Sequence, residues 1–209
     1  MNMLNAVVVD RHPLTRLAVK ILLEQNGVDI AGESDDGSQA FSMIVKTRPD
    51  IVITDTDIKS ISGIELVEKL RQKKFSRIII VTSAKNSSFY SRQSAGAGAN
   101  GFVSKKDFVT NIMECINVSR NGYSYYPFSL TSPMDERDSE NDMLKSLSSQ
   151  EVKVMNALLS GIGNKEVAYR MGISHKTVST YKKRLLEKLA CKTTFELLEF
   201  ATRNAISFI

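Results

Sequence analysis

Four side chains suited to phosphoryl chemistry stand at the ends of apolar runs. Asp10 closes AVVVD, Asp55 closes IVITD, Thr82 closes IIIVT and Lys105 follows GFVS. A carboxylate can accept a phosphoryl group as a nucleophile, and a hydroxyl and an ammonium can then stabilise its oxygens. Asp10 and Asp55, with the backbone carbonyl of Asp57 just beyond, also offer the oxygen ligands that a divalent cation such as Mg²⁺ takes. Singly, each residue has a plainer explanation: an Asp at a strand end often caps a helix, Asp57 suits a turn, and Thr82 or Lys105 alone carries no chemistry. What sets them apart is four fitting residue types at four equivalent places.

Those places are equivalent because of the elements that lead to them. Residues 5–10, 28–33, 51–55, 77–82 and 101–104 form short apolar runs that predict strands. Helical patterns at 13–26, 38–46, 63–72, 87–97 and 107–120 alternate with them. Pro13 opens the first helix, Leu14, Leu17, Ala18, Ile21 and Leu22 recur at core spacing, and Gly27 stops it. Arg48-Pro49 stops the second. Apolar strands alternating with helices predict an α/β fold, a five-stranded parallel, doubly wound sheet of flavodoxin-like type. Ligands of such sheets bind beyond the carboxyl ends of the strands. Asp10 with Arg11, Asp55, Thr82 and Lys105 then share one edge, while the second strand ends in nothing comparable.

The remainder reads differently. NGYSYYPFSL, at 121–130, supplies aromatics able to pack on either domain. Residues 131–146, TSPMDERDSENDMLKS, are polar, mostly acidic and without apolar periodicity, which predicts a flexible tether. The expected organisation is a first domain at 1–125, a linker at 126–146 and a small all-α domain at 147–209. In the last piece Lys and Arg outnumber Asp and Glu 10 to 5, leaving 18 against 18 of the chain's 28 and 23 for everything before it. The whole basic excess therefore sits in the C-terminal domain, which points to an acidic polymer as its partner.

Within that domain Ser148-x-x-Glu151 has the pattern of a capping box. Asn164 and Ser174 are placed to cap two short helices broken at Met171-Gly172-Ile173. Thr193 or Thr194 can cap a final helix, with Phe195, Leu198 and Phe200 available for packing. On a helical wheel Val178, Tyr181, Leu185 and Leu189 share one apolar arc, and Lys176, Ser179, Thr180 and Lys183 face the other way. Short polar side chains and lysines on an outer face suit the major groove of double-stranded DNA. An ordinary solvated face would look similar, but the preceding helix at 164–171 completes a helix-turn-helix.

The 209 residues suffice for two domains with real cores. No apolar run is long enough to span a membrane and the start lacks a signal-like pattern, so a cytoplasmic protein without a membrane partner is expected. Cys115 and Cys191 lack metal-ligand spacing, and Cys115 reads as core filler. No catalytic constellation other than the acyl-phosphate edge is visible, so an enzyme is not expected.

Two sets of motifs carry a resemblance. LSSQE at 147–151, GIGNKEVA at 161–168, Ile173-Ser174, Thr177-Val178 and Lys188-Leu189 resemble the LuxR/NarL-type helix-turn-helix over residues 147–204. VVVDRHP, RPDIVITDTDI, IIIVTSAK and GANGFVSK resemble a response-regulator receiver domain over residues 3–122. Together they look like the NarL/FixJ type of two-component regulator, and SAKNSSFY, GANGFVSKK and NGYSYYPFSL are especially similar to the BvgA and EvgA type. The resemblance implies Asp55 as phosphoacceptor, Thr82 as switching hydroxyl, Lys105 as phosphate-binding lysine and Phe102 in the aromatic position that follows the switch. It implies Lys176, Ser179, Thr180 and Lys183 as DNA-facing residues, although other members often carry Lys where Ser179 stands. A homodimer and a sensor histidine kinase or relay protein as phosphate donor follow as well.

The chain departs from the family in two places. Its first strand usually ends in an acidic pair whose second member binds the metal directly, and here that member is Arg11. A guanidinium there opposes Mg²⁺ and can pair with Asp55 instead, or turn into solvent. Lys59 and Ser60 replace a Pro-Gly turn, which adds a cation near the site and removes a rigid bend. Phosphorylation of Asp55 that is Mg²⁺-poor, slow or absent is the consequence to be tested. A pseudo-receiver controlled by abundance or by a protein partner is one alternative. A nucleotide- or flavin-binding flavodoxin-like protein is another, opposed by the missing glycine-rich loop after the first strand.

Overall fold

The computed structural model describes residues 4–126 and 136–206, the side chains of 136–139 excepted. The chain divides into two compact units, Met1–Phe128 and Ser129–Ile209. In the first, five parallel strands lie in the order β2-β1-β3-β4-β5: β1 (Leu4–Val9), β2 (Val28–Ser34), β3 (Ile51–Asp55), β4 (Ile78–Ser83) and β5 (Gly101–Ser104). The helices between them are α1 (Pro13–Gln25), α2 (Gly37–Thr47), α3 (Gly63–Gln72), α4 (Ser87–Ala97) and α5 (Phe108–Arg120). A 3-10 turn over Lys105–Asp107 joins β5 to α5.

The central strands are buried on both faces, which is why they read as unbroken apolar runs. Ala6, Val8, Ile51, Ile53, Ile80 and Val103 pack on one face with Leu23 of α1 and Ile112, Cys115 and Ile116 of α5. Burial pushes the Cys115 thiol up to about 12, so it is filler and not a nucleophile. The α1 stripe turns out otherwise than its spacing implies. Leu14, Leu17 and Ile21 are exposed, at 80%, 53% and 46%; Leu22 of that stripe packs in part against the core, where Val19 and Leu23 are buried. Two apolar stripes run along α1, and periodicity alone cannot say which one faces the sheet.

The second unit contains α6 (Glu136–Lys145), α7 (Ser149–Leu159), α8 (Asn164–Met171), α9 (His175–Lys188) and α10 (Thr194–Arg203). Helix α6 falls inside the stretch expected to be a structureless tether. It is tied down by contacts distant in sequence: Leu144 is buried, and Glu140 accepts hydrogen bonds from Arg203 and Asn204. The flexible-linker expectation is therefore corrected at 136–145; residues 127–135 lie outside the described ones. The Ser148–Glu151 box is complete, with the Glu151 carboxylate also accepting from Lys188 Nζ at 2.7 Å. Gly172 makes the left-handed turn between α8 and α9 at φ 65°. Ser174 caps α9 and Thr193 caps α10. The cap of α8 is Gly163, not Asn164, which is the first residue of the helix. In α10 Leu197, Phe200 and Ala201 are buried, while Phe195 and Leu198 face outward.

Candidate functional site

The carboxyl ends of β1, β3 and β5 bring three predicted residues into contact. Lys105 Nζ donates to Asp10 Oδ2 at 2.5 Å and to Asp55 Oδ2 at 2.7 Å. Both acids are only 4% exposed at the side chain and Lys105 is 15% exposed, so two nearly buried carboxylates share one ammonium, which offsets one of their two charges. Burial pushes the Asp55 carboxyl above its ordinary value; Lys105 opposes this without cancelling it, and Asp10 adds to it. Asp10 Oδ1 accepts from the His12 backbone N–H at 2.8 Å and lies 3.2 Å from His12 Nδ1. The floor under Asp55 is set by Gly63 at the start of α3. A Cβ there would lie 2.0 Å from the Asp55 carbonyl oxygen, so only glycine lets α3 begin so close to the end of β3.

Arg11 does not pair with Asp55 and turns outward to the rim. Its Nη1 donates to both oxygens of Asp57 at 3.2 Å, not to Asp55, and its side chain is half-exposed. Lys85 Nζ joins the same carboxylate at 2.9 Å. Burial raises the Asp57 carboxyl, but Lys85 and Arg11 together outweigh it and hold the group below its ordinary value. Lys59 is likewise turned from the site and pairs with Asp35 after β2. The loop keeps a defined turn without Pro-Gly. Ser60 adopts φ 67°, its hydroxyl donates to Asp36, and backbone bonds run from Lys59 N to Asp35 O and from Gly37 N to Lys59 O. The end of β2 thus has a role after all, as the anchor of this loop.

Thr82 pairs with Asp55 in the register of β3 and β4. It is buried, and its hydroxyl lies 3.5 Å from the Thr54 carbonyl oxygen. Phe102 is fully buried in β5. Sequence reasoning missed three neighbours. The Thr56 hydroxyl donates to Ser83 Oγ at 2.9 Å and lies 3.5 Å from Asp55 Oδ1. Ser83 Oγ accepts from the Lys85 backbone N–H, which steers Lys85 back toward Asp57. The available signal was TSAK at 82–85, a hydroxyl and a lysine just past a strand end already marked by Thr82.

In the second unit α9 separates its faces as the wheel indicates. Val178 and Leu185 are fully buried with Leu189, and Lys176, Ser179, Thr180 and Lys183 are all exposed. The hydroxyls of Ser179 and Thr180 donate to the carbonyl oxygens of His175 and Lys176, which leaves their oxygens outward as acceptors. Lys183 makes one loose pair with Glu187 at 3.8 Å. Arg184 and Tyr169, the latter 84% exposed on α8, are further outward residues that sequence reasoning passed over.

Family models match both units, the response regulator receiver domain at residues 6–117 and the bacterial regulatory proteins of the luxR family at 145–201. The chain belongs to the response regulators. It is 47% identical to the DNA-binding transcriptional activator EvgA of Escherichia coli K12 over 97% of this chain and all of that one. It is 32% identical to BvgA of Bordetella pertussis, a regulator of virulence factors, over 96% of this chain and 98% of that one. Among solved structures, RcsB of Salmonella enterica serovar Typhimurium, bound to promoter rprA with the phosphomimetic BeF₃⁻, is similar at TM-score 0.74 and 25% identity. That match covers 96% of this chain and 99% of RcsB. These are transcription regulators and not enzymes, and the family assignment displaces the flavin-binding alternative.

Receiver domains commonly bind Mg²⁺ at an acidic pocket. Here Asp10, His12 and Asp55 each bring one ligand atom, all within 4.8 Å of one another. Among the described residues no helix is long and apolar enough to cross a membrane.

Proposed function

We propose that this response regulator is a cytoplasmic, sequence-specific transcription regulator that takes a phosphoryl group on Asp55 and binds double-stranded DNA through α9. The observation that carries the switch is Lys105 bridging Asp10 and Asp55 at the edge where Thr82 ends β4. Asp55 supplies the nucleophilic oxygen, Lys105 is placed to follow the charge onto the phosphoryl oxygens, and Thr82 is the nearby hydroxyl that can turn toward them. Phe102, buried on the neighbouring strand, is positioned to repack when Thr82 turns. A divalent cation held by Asp10, Asp55 and the backbone carbonyl of Asp57 would have to displace Lys105 from two acids and sit beside Arg11 and Lys85 on the Asp57 carboxylate. The residues as bonded do not fit one, so the chemistry is derived from side chains alone.

For DNA, Lys176 and Lys183 reach phosphates or guanine edges, and Ser179 and Thr180 present acceptors and allow close approach. A homodimer is supported by the uncovered apolar stripe Leu14, Leu17 and Ile21 along α1, a surface suited to a second copy. It would set two recognition helices about 34 Å apart on the duplex. A sensor histidine kinase or relay protein is the matching donor. The Arg11–Asp57 pair favours a second reading, a pseudo-receiver controlled by abundance or a partner protein. Intact mass after incubation with acetyl phosphate separates the two. One phosphoryl adduct on the wild type, absent from Asp55→Ala, supports the switch; equal adducts on both refute Asp55 as the acceptor.

A further inference from the structure

The acidic edge is already balanced by the protein itself. Asp10, Asp55 and Asp57 face Lys105, Arg11 and Lys85, three carboxylates against three cations, and every one of these carboxylates is bonded to at least one cation. A site that needs a divalent ion carries an excess of negative charge for it to neutralise; here Asp10 and Asp55 with Lys105 keep one negative charge, and Asp57 with Arg11 and Lys85, one positive, offsets it. His12 adds only an imidazole nitrogen, a poor partner for Mg²⁺.

Arg11 and Lys85 are not scattered surface charges. They converge on one carboxylate two residues beyond Asp55, and Lys85 is directed there by the bond from its backbone N–H to Ser83 Oγ. Arg11 meets Asp57 through Nη1, so the other guanidinium nitrogens still carry donors, and Lys85 Nζ has three donors for one Asp57 oxygen. A half-exposed guanidinium and a partly exposed ammonium at the mouth of the edge can both face an incoming phosphate dianion.

We propose that Arg11 and Lys85, gathered on Asp57, stand in for the divalent cation, so that Asp55 takes a phosphoryl group from an acyl phosphate without a metal ion. The inference rests on Asp55 being the acceptor. A carboxylate oxygen of Asp55 attacks phosphorus and forms the Asp55 Oδ–P bond. The bond between phosphorus and the bridging oxygen of the acyl phosphate breaks, and that oxygen leaves with its electron pair as a carboxylate, so no proton has to move. Lys105 stays on Asp10 and turns its remaining donors to the new phosphoryl oxygens, while Arg11 and Lys85 hold the outer ones.

The test uses the full chain and acetyl phosphate, with adduct formation followed by intact mass in EDTA or in millimolar Mg²⁺. Wild type, Arg11→Ala, Arg11→Asp and Asp55→Ala are compared, and Mg²⁺ alone is titrated calorimetrically into each unphosphorylated protein. The expected result is a wild-type rate unchanged between EDTA and Mg²⁺, with no Mg²⁺ binding. Arg11→Ala should slow the reaction in EDTA by about tenfold or more, less than the ~10²–10³ of losing a buried preorganised donor because Arg11 is half-exposed. Arg11→Asp should bind Mg²⁺ and react only in its presence. A wild-type adduct that needs Mg²⁺ overturns the inference and leaves Asp55 as acceptor. An adduct on Arg11→Asp but not on the wild type overturns it too, Arg11 then being a block. Absence of adduct from every protein in both conditions overturns the Asp55 reading along with it. Arg11 is half-exposed, so its variants should fold, and the wild-type comparison needs no variant.

Discussion

Replacing Lys105 with methionine keeps a long unbranched side chain and removes the one ammonium shared by Asp10 and Asp55. Both carboxylates are 4% exposed at the side chain, so water cannot replace it. Breaking a buried ion pair from one side costs about 3–5 kcal/mol, because the partner stays behind without its counter-charge. For a unit of this size that is a fall of roughly 10–15 °C in melting temperature. The loss should depend on pH with a definite sign. Asp55 is already raised by burial, and without Lys105 the neighbouring Asp10 raises it unopposed. A carboxyl whose folded value is raised contributes stability at low pH and loses it as pH rises through that folded value. Lys105→Met should therefore approach wild-type stability as pH falls to the ordinary carboxylate value and fall away as pH rises above it. Without the ammonium the edge also gains negative excess, so millimolar Mg²⁺ should restore about 1–3 kcal/mol to the variant by binding the folded state, and nothing to the wild type. Thermal melts followed by far-UV circular dichroism check all three. A loss under about 1 kcal/mol that ignores pH and Mg²⁺ would refute the idea that Lys105 is the counter-charge of this edge.

Two further expectations concern the DNA-binding unit. Lys183→Ala should weaken binding uniformly across sequences and reduce the slope of log affinity against log salt by about 1, read by fluorescence anisotropy at several salt concentrations. Glu151→Ala removes half of the capping box and the partner of Lys188, whose Nζ keeps the Ser146 carbonyl, and should cost about 1–2 kcal/mol in urea unfolding. Burial raises the Glu151 carboxyl but Lys188 and Ser148 outweigh it, so its contribution is present above the unfolded value and lost as pH falls through the folded one.

The sheet and the shared edge were legible because strand runs buried on both faces announce themselves, and Asp10, Asp55, Thr82 and Lys105 are fixed by strand ends. The polar face of α9 was legible for the same reason, a regular period with Val178 and Leu185 inward. What escaped depends on side chains that can swing or on partners far along the chain. From its position in sequence Arg11 could be assigned to either Asp55 or Asp57, and only the folded structure shows the pair with Asp57. Helix α6 has little apolar pattern of its own; Leu144 and the grip of Glu140 on Arg203, 63 residues away, hold it in place. On α1, two stripes competed and the more obvious one lost.

Gly63 and Arg11 divide the labour of the edge unequally. At 63 any side chain collides with the backbone of Asp55, so the position tolerates one residue type. At 11 the side chain leans out over the rim, half in water, and many types would fold. Geometry therefore rests on an intolerant floor and charge on a permissive rim. A lineage can drift from one charge balance to another by changing rim residues such as Arg11, while the scaffold that aims Asp55 stays the same.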